Sequence, residues 1–143
     1  MDHFPVNFER GKRISIIGGV NVLDDIDEAI EIGMEFKKSC IKNKISYVFK
    51  ASFDKANRSS FDSYRGPGLK KGLEMLKVIK NILKVPILTD IHEICQASEA
   101  AKVCDMLQLP AFLARQTDLI QALANTGKTI NIKKPQFISP DQI

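Results

Sequence analysis

From Ile14 onward, short apolar runs rich in β-branched residues alternate with longer stretches of helical period, which restricts the chain to folds built from βα units around a parallel sheet. The runs are Ile14-Ser15-Ile16-Ile17, Ile45-Ser46-Tyr47-Val48-Phe49, Pro86-Ile87-Leu88-Thr89, Met106-Leu107-Gln108-Leu109 and Thr129-Ile130-Asn131-Ile132. The expected class is α/β, with about five βα-type strands in sequence order. Ahead of them, Val6-Asn7-Phe8 and Arg13-Ile14-Ser15 flank a Glu-Arg-Gly-Lys turn, a weak hairpin pattern.

Between the runs, helix starts and stops are legible. Asp24 or Asp25 caps a first helix, with Asp27 and Glu28 in its first turn and Ile26, Ala29, Ile30 and Gly33 on one buried face. The first strand is expected to break at Gly18-Gly19, and residues 51–68 show neither period and read as a long loop. Pro67 then suits an early helical position, with Leu69, Gly72, Leu73, Leu76 and Leu83 facing inward and Lys70, Lys71, Lys77 and Lys84 mostly outside. A third helix is expected around residues 93–102, and a fourth capped by Thr117 or Asp118 and closed by Gly127.

Composition narrows the class further. With 143 residues, 44% of them apolar and 27% charged, the chain suits a single domain over residues 1–143 that buries a core. The net charge of +4 is spread along the sequence, which suits an anionic small ligand and does not by itself point to nucleic acid. Cys40, Cys95 and Cys104 are odd in number and lack C-x-x-C spacing, so they read as reduced thiols in a cytoplasmic protein. No basic n-region with an apolar core opens the chain, and no apolar run reaches the roughly 18 residues of a membrane span.

The polar residues at the strand exits carry the chemistry. Asn21, Lys50, Asp90, Gln108 and Lys133 follow or end the five runs, at the edge where parallel α/β folds bind ligands, although strands must in any case exit into polar loops. Residues 50–60 place Lys50, Lys55, Arg58, Asn57, Ser52, Ser59 and Ser60 together, a set suited to phosphate and carboxylate, or else a solvated loop of mixed charge. The spacing is not that of a nucleotide P-loop, and Gly18-Gly19 is not a dinucleotide fingerprint. His92 is either a base or a structural histidine. No set of residues at ligand spacing suggests a metal, and Cys95 and Cys104 read as core.

Long motifs add a resemblance. Gly18-Gly19-Val20-Asn21-Val22, Tyr47-Val48-Phe49-Lys50-Ala51-Ser52-Phe53-Asp54-Lys55-Ala56-Asn57-Arg58-Ser59-Ser60 and Ser63-Tyr64-Arg65-Gly66-Pro67-Gly68-Leu69 resemble the 3-deoxy-D-manno-octulosonate 8-phosphate synthase family. So do Thr89-Asp90-Ile91-His92-Glu93, the segment from Gln108 through Ala111 and Arg115 to Asp118, and Lys133-Lys134-Pro135-Gln136. The resemblance implies a (β/α)8 barrel and a transferase that condenses phosphoenolpyruvate with arabinose 5-phosphate and water, releasing phosphate, in lipopolysaccharide inner-core biosynthesis.

Carried over by position, Lys50 and Lys55 look like the lysines contacting phosphoenolpyruvate and the reacting end of the sugar. Asn57, Arg58 and Ser59 look like the clamp on arabinose 5-phosphate, in the family shared partly with a neighbouring subunit of a homo-oligomer, and Ser52 looks like a further substrate-binding residue. Gln108, Ala111, Arg115 and Lys133 resemble the phosphoenolpyruvate pocket, and Asp90 the carboxylate turned toward the sugar. Asn21 resembles the metal-independent branch, which implies no metal and no cofactor.

A (β/α)8 barrel takes about 250 residues, so roughly three βα units are expected to be missing here and activity to be impaired or absent. The alternative is a non-catalytic remnant or a module binding phosphorylated anions. The sister chemistry on erythrose 4-phosphate fits the 50–60 segment less well.

Overall fold

The computed structural model describes residues 6–9, 11 and 13–142, and these form two compact units that divide after Ile87. The first contains β1 (Ser15–Gly19), α1 (Ile26–Lys42), β2 (Ser46–Lys50) and α2 (Leu69–Leu83). The second contains β3 (Ile87–Asp90) from Leu88 onward, α3 (Ile94–Val103), β4 (Met106–Leu109), α4 (Thr117–Ala124) and β5 (Thr129–Ile132). All pairings within each unit are parallel, and strands and helices alternate throughout. The class is therefore α/β, with the element order of part of a (β/α)8 barrel.

In the first unit, β1 pairs with β2 from Ser15↔Ser46 to Gly19↔Lys50. The strand runs through Gly18-Gly19 instead of breaking there, because both glycines sit where a neighbour approaches: the Phe36 ring at Gly18 and the Lys50 carbonyl at Gly19. Asp25 caps α1, its Oδ1 accepting from the backbone N–H of Asp27 at 2.7 Å and of Glu28 at 3.0 Å. The acids of that first turn also complement the helix dipole. Ala29, Gly33 and Cys40 form the fully buried face of α1, whereas Ile26 and Ile30 are half-buried. At Gly33 any side chain would occupy the space of Leu83, which lets α1 and α2 pack closely.

Helix α2 starts at Leu69, so Pro67 lies ahead of the helix and not in its first turn. Gly68 donates its backbone N–H to the Phe53 carbonyl at 3.1 Å, which ties the residue to the preceding loop and delays the helix. The inward stripe is Gly72, Met75, Leu76, Ile79 and Leu83; Leu69 and Leu73 are only half-buried. Lys70, Lys71, Lys77 and Lys84 are exposed, as expected. Tyr47, Val48 and Phe49 of β2 complete this core, and burying each such large side chain contributes roughly 1.5–3 kcal/mol. The Tyr47 ring stacks on Phe36 with centroids 5.6 Å apart.

The expected N-terminal hairpin is not paired as strands: residues 6–9 adopt no strand, and Arg10 and Lys12 of its turn lie outside the described residues. Asn7 is held to β1 by one side chain, the Ser15 hydroxyl, which donates to the Asn7 carbonyl at 2.8 Å and accepts from its N–H at 3.2 Å. Those bonds occupy the backbone groups a ladder would need.

In the second unit, Asp90 pairs with Gln108 and Gln108 with Asn131 across β3, β4 and β5. Leu88, Ile91, Leu107 and Cys104 are fully buried, with Leu119 and Leu123 of α4 packed close behind. Helix α3 is opened by the buried Gln96 side chain, whose Oε1 accepts from the N–H groups of His92 at 2.8 Å and Glu93 at 3.2 Å. Helix α4 begins after Gln116, not after Thr117 or Asp118 as the cap, and Gly127 follows its end with φ +67°. Among the described residues no helix is long and apolar enough to cross a membrane.

Candidate functional site

In the first unit the candidate residues gather at the C-terminal ends of β1 and β2. Lys50 is the last residue of β2 and the register partner of Gly19, and its Nζ donates to Ser52 Oγ at 2.7 Å. The segment after β1 runs beside the segment after β2, since the Leu23 N–H donates to the Ser52 carbonyl at 2.9 Å. Asn21 lies on that first segment, exposed at the same end as Lys50 and Ser52.

The 51–68 segment is a loop, but an anchored one. Ala51, Ser52 and Phe53 are buried, and Lys55 donates its N–H to the Arg65 carbonyl at 2.6 Å. Arg65 in turn grips Asp54 at two points, Nε to Oδ1 at 2.6 Å and Nη2 to Oδ2 at 3.0 Å. Tyr64 Oη donates to the Leu23 carbonyl at 3.2 Å. Lys55, Asn57, Arg58 and Ser59 therefore lie on a stretch fixed at both ends. Arg58 folds onto its own loop, with Nε and Nη2 donating to the Phe61 carbonyl at 3.2 and 2.9 Å and the guanidinium 5.5 Å from the Phe61 ring centroid. Nothing in the sequence pattern gives Arg65 a task; its role emerges only from the contact with Asp54.

In the second unit, Asp90 ends β3, Gln108 stands near the end of β4, and Lys133 directly follows β5. Asp90 Oδ2 lies 3.0 Å from His92 Nε2, and both side chains are largely buried. Gln108 Oε1 accepts from Asn131 Nδ2 at 2.9 Å. Ala111 is buried in the single 3-10 turn that follows β4, and Arg115 is exposed just beyond it. The Lys133 N–H donates to the Leu109 carbonyl at 3.1 Å, which fixes where its side chain leaves the strand. The neighbouring lysine differs: Lys134 Nζ donates to the carbonyls of Pro135 and Ile138, each at 2.7 Å.

Both groups combine cations and amide donors with buried acceptors at strand ends, an arrangement that can hold phosphate and carboxylate oxygens. Cys40 and Cys104 are buried, whereas Cys95, expected in the core, is exposed on the first turn of α3; burial pushes the Cys40 thiol above its ordinary pKa, away from nucleophilic use. Among the described residues no three His, Cys, Asp or Glu side chains are grouped to hold a metal ion.

Comparison with known proteins gives one consistent result. The chain is 56% identical over 138 residues to a 2-dehydro-3-deoxyphosphooctonate aldolase of Prochlorococcus marinus (strain MIT 9313), covering 96% of this chain and 49% of that protein. It is 56% identical over 129 residues to the protein of that name from Chromobacterium violaceum, covering 90% of this chain and 46% of the relative. The relative from Janthinobacterium sp. (strain Marseille), of the same name, is 59% identical over 128 residues, with the same coverage of 90% and 46%. The chain thus spans about half the length of the curated relatives it matches. The model of the DAHP synthetase I family matches residues 4–143, and the chain belongs to that family.

Proposed function

We propose that this chain carries the substrate-handling residues of a 3-deoxy-8-phosphooctulonate synthase, which condenses phosphoenolpyruvate with D-arabinose 5-phosphate and water and releases phosphate. The observation that carries the reading is the placement of Lys50, Asp90 and Gln108 at the C-terminal ends of parallel strands, with Lys133 just beyond one. The names of relatives 54–59% identical to the chain support the choice of substrates.

Both substrates are multiply anionic, so the first requirement is a set of fixed donors. Lys50 and Lys55 supply positive charge toward phosphoenolpyruvate and the reacting end of the sugar. Asn57, Arg58 and Ser59 hold arabinose 5-phosphate, with its terminal phosphate on Arg58 and Ser59, and Ser52 adds a substrate-binding hydroxyl. Gln108, Ala111, Arg115 and Lys133 form the phosphoenolpyruvate pocket, and Asp90 turns its carboxylate to the sugar. Holding the enol carbon against the aldehyde lowers the entropic part of the barrier, and fixed charges manage the positive charge that develops as water attacks. Asn21 stands where the resemblance places a cysteine ligand in metal-dependent members, in keeping with metal-independent chemistry. The reading places the protein in the cytoplasm, working as a homo-oligomer in its full-length relatives.

A second reading is binding of phosphorylated anions without turnover, which the cations and amides at the strand ends would serve equally. Titration calorimetry on the 143-residue chain tests the site assignment that both readings share, and a phosphate-release assay measures turnover. We expect both substrates to bind, with turnover impaired or absent, and Arg58→Ala to weaken arabinose 5-phosphate binding by about tenfold. Failure to bind either substrate, or preference for erythrose 4-phosphate, overturns the assignment.

A further inference from the structure

We propose that Asn131 is a positioning residue: it fixes the polarity of the Gln108 amide, so that Gln108 turns its Nε2 hydrogens, and not its carbonyl oxygen, toward an anionic ligand. The inference rests on the assignment of Gln108 to phosphoenolpyruvate. Gln108 and Asn131 are direct register partners on parallel strands, so their side chains leave the same face of the sheet. Asn131 Nδ2 donates to Gln108 Oε1 at 2.9 Å, and both residues are half-buried.

A primary amide is nearly symmetric in shape, so packing alone does not choose which end faces outward, yet turning it over exchanges donor for acceptor. Opposite an anion that exchange replaces a stabilising hydrogen bond with a repulsive oxygen contact. In the structure the donor supplied by β5 engages Oε1 and leaves Nε2 for the ligand; the reverse pair, with Gln108 Nε2 on Asn131 Oδ1, is the arrangement that solvent exchange of the amide hydrogens distinguishes.

The test uses the whole 143-residue chain labelled with ¹⁵N. Without ligand, solvent exchange of the Asn131 Nδ2 hydrogens should be slowed and that of the Gln108 Nε2 hydrogens should not, and Gln108→Ala should abolish the slowing. Protection of the Gln108 Nε2 hydrogens instead overturns the proposal. With phosphoenolpyruvate, the Gln108 Nε2 resonances should shift. Asn131→Asp, which can only accept, should weaken binding by about tenfold, and more than Asn131→Ala does.

Asn131→Asp also adds a negative charge, so the same substitution is made in a Gln108→Ala background, where its penalty should fall below about twofold. A penalty that persists there acts through charge alone and overturns the proposal. If phosphoenolpyruvate does not bind the unaltered chain, the functional reading fails, whereas the ligand-free exchange pattern still decides the polarity of the amide.

Discussion

Gly19 and Lys50 approach so closely that a side chain on Gly19 would occupy the place of the Lys50 carbonyl oxygen. The two are register partners at the last rung of the β1–β2 ladder. Gly19 also has φ +150°, a backbone state that residues with a Cβ seldom adopt. The place of Lys50 is thus set by a glycine on the neighbouring strand.

Gly19→Ala is expected to destabilise the protein by about 1–3 kcal/mol from backbone strain, with the clash against Lys50 added to it. Gly127→Ala is the control, since Gly127 has φ +67° with nothing within 4 Å of an added Cβ, so only strain acts there. Urea denaturation should show a lower midpoint for Gly19→Ala than for Gly127→Ala. Displacement of Lys50 should also weaken phosphoenolpyruvate binding in the first variant alone. Equal midpoints would mean that the ladder relaxes to admit a methyl group.

Sequence was a good guide where one local force dominates. The bounds of β4 and β5 follow from apolar runs ended by Pro110 and Lys133, and α1 begins where Asp25 can cap it. It misled where tertiary contact decides. Gly18-Gly19 looks like a strand breaker but is the means by which Phe36 and Lys50 come close. In α2 nearly every face carries an apolar residue, so period alone could not tell that Met75 and Ile79 face inward while Val78 and Ile82 stay exposed.

The site shows the same division. Strand-exit residues are visible as chemistry at the end of a pattern. The partners that orient them are not, because Arg65 meets Asp54 across 11 residues and Asn131 meets Gln108 across 23. Those contacts depend on loop path and strand register, neither of which is written in local composition.

Tyr47 gives the fold a dependence on alkaline pH. Burial raises its phenol pKa well above the ordinary tyrosine range, with the charge of Cys40 adding to the rise. A raised pKa means that the folded state holds the proton more tightly than the unfolded state does. The stability contributed by neutral Tyr47 is therefore complete below about pH 10 and lost as pH rises through the folded-state value. Tyr47→Phe should flatten this alkaline limb. At pH 8 the same variant loses the bond from Tyr47 Oη to the Gly18 carbonyl, 3.3 Å long, and should be less stable by about 0.5–1.5 kcal/mol. Urea melts at pH 8 and pH 11 check both expectations, and an unchanged alkaline slope would remove Tyr47 from the account.

Lys133 and Lys134 are adjacent in sequence but differ in their contacts, and paired substitutions should separate them. Lys134 spends its ammonium on the carbonyls of Pro135 and Ile138, closing the turn after β5. Lys134→Ala should lower stability by about 1 kcal/mol, because the bonds are charge-assisted but one is solvent-exposed and the other only partly buried. Its effect on phosphoenolpyruvate affinity should be small. Lys133 is held to β4 through its backbone N–H, which alanine retains, so Lys133→Ala should leave the urea midpoint unchanged. If its side chain contacts the anion, affinity should fall by about tenfold. Calorimetric titration beside urea melts reads both properties for each variant. The reverse pattern, with binding lost in Lys134→Ala and stability lost in Lys133→Ala, would exchange the two assignments.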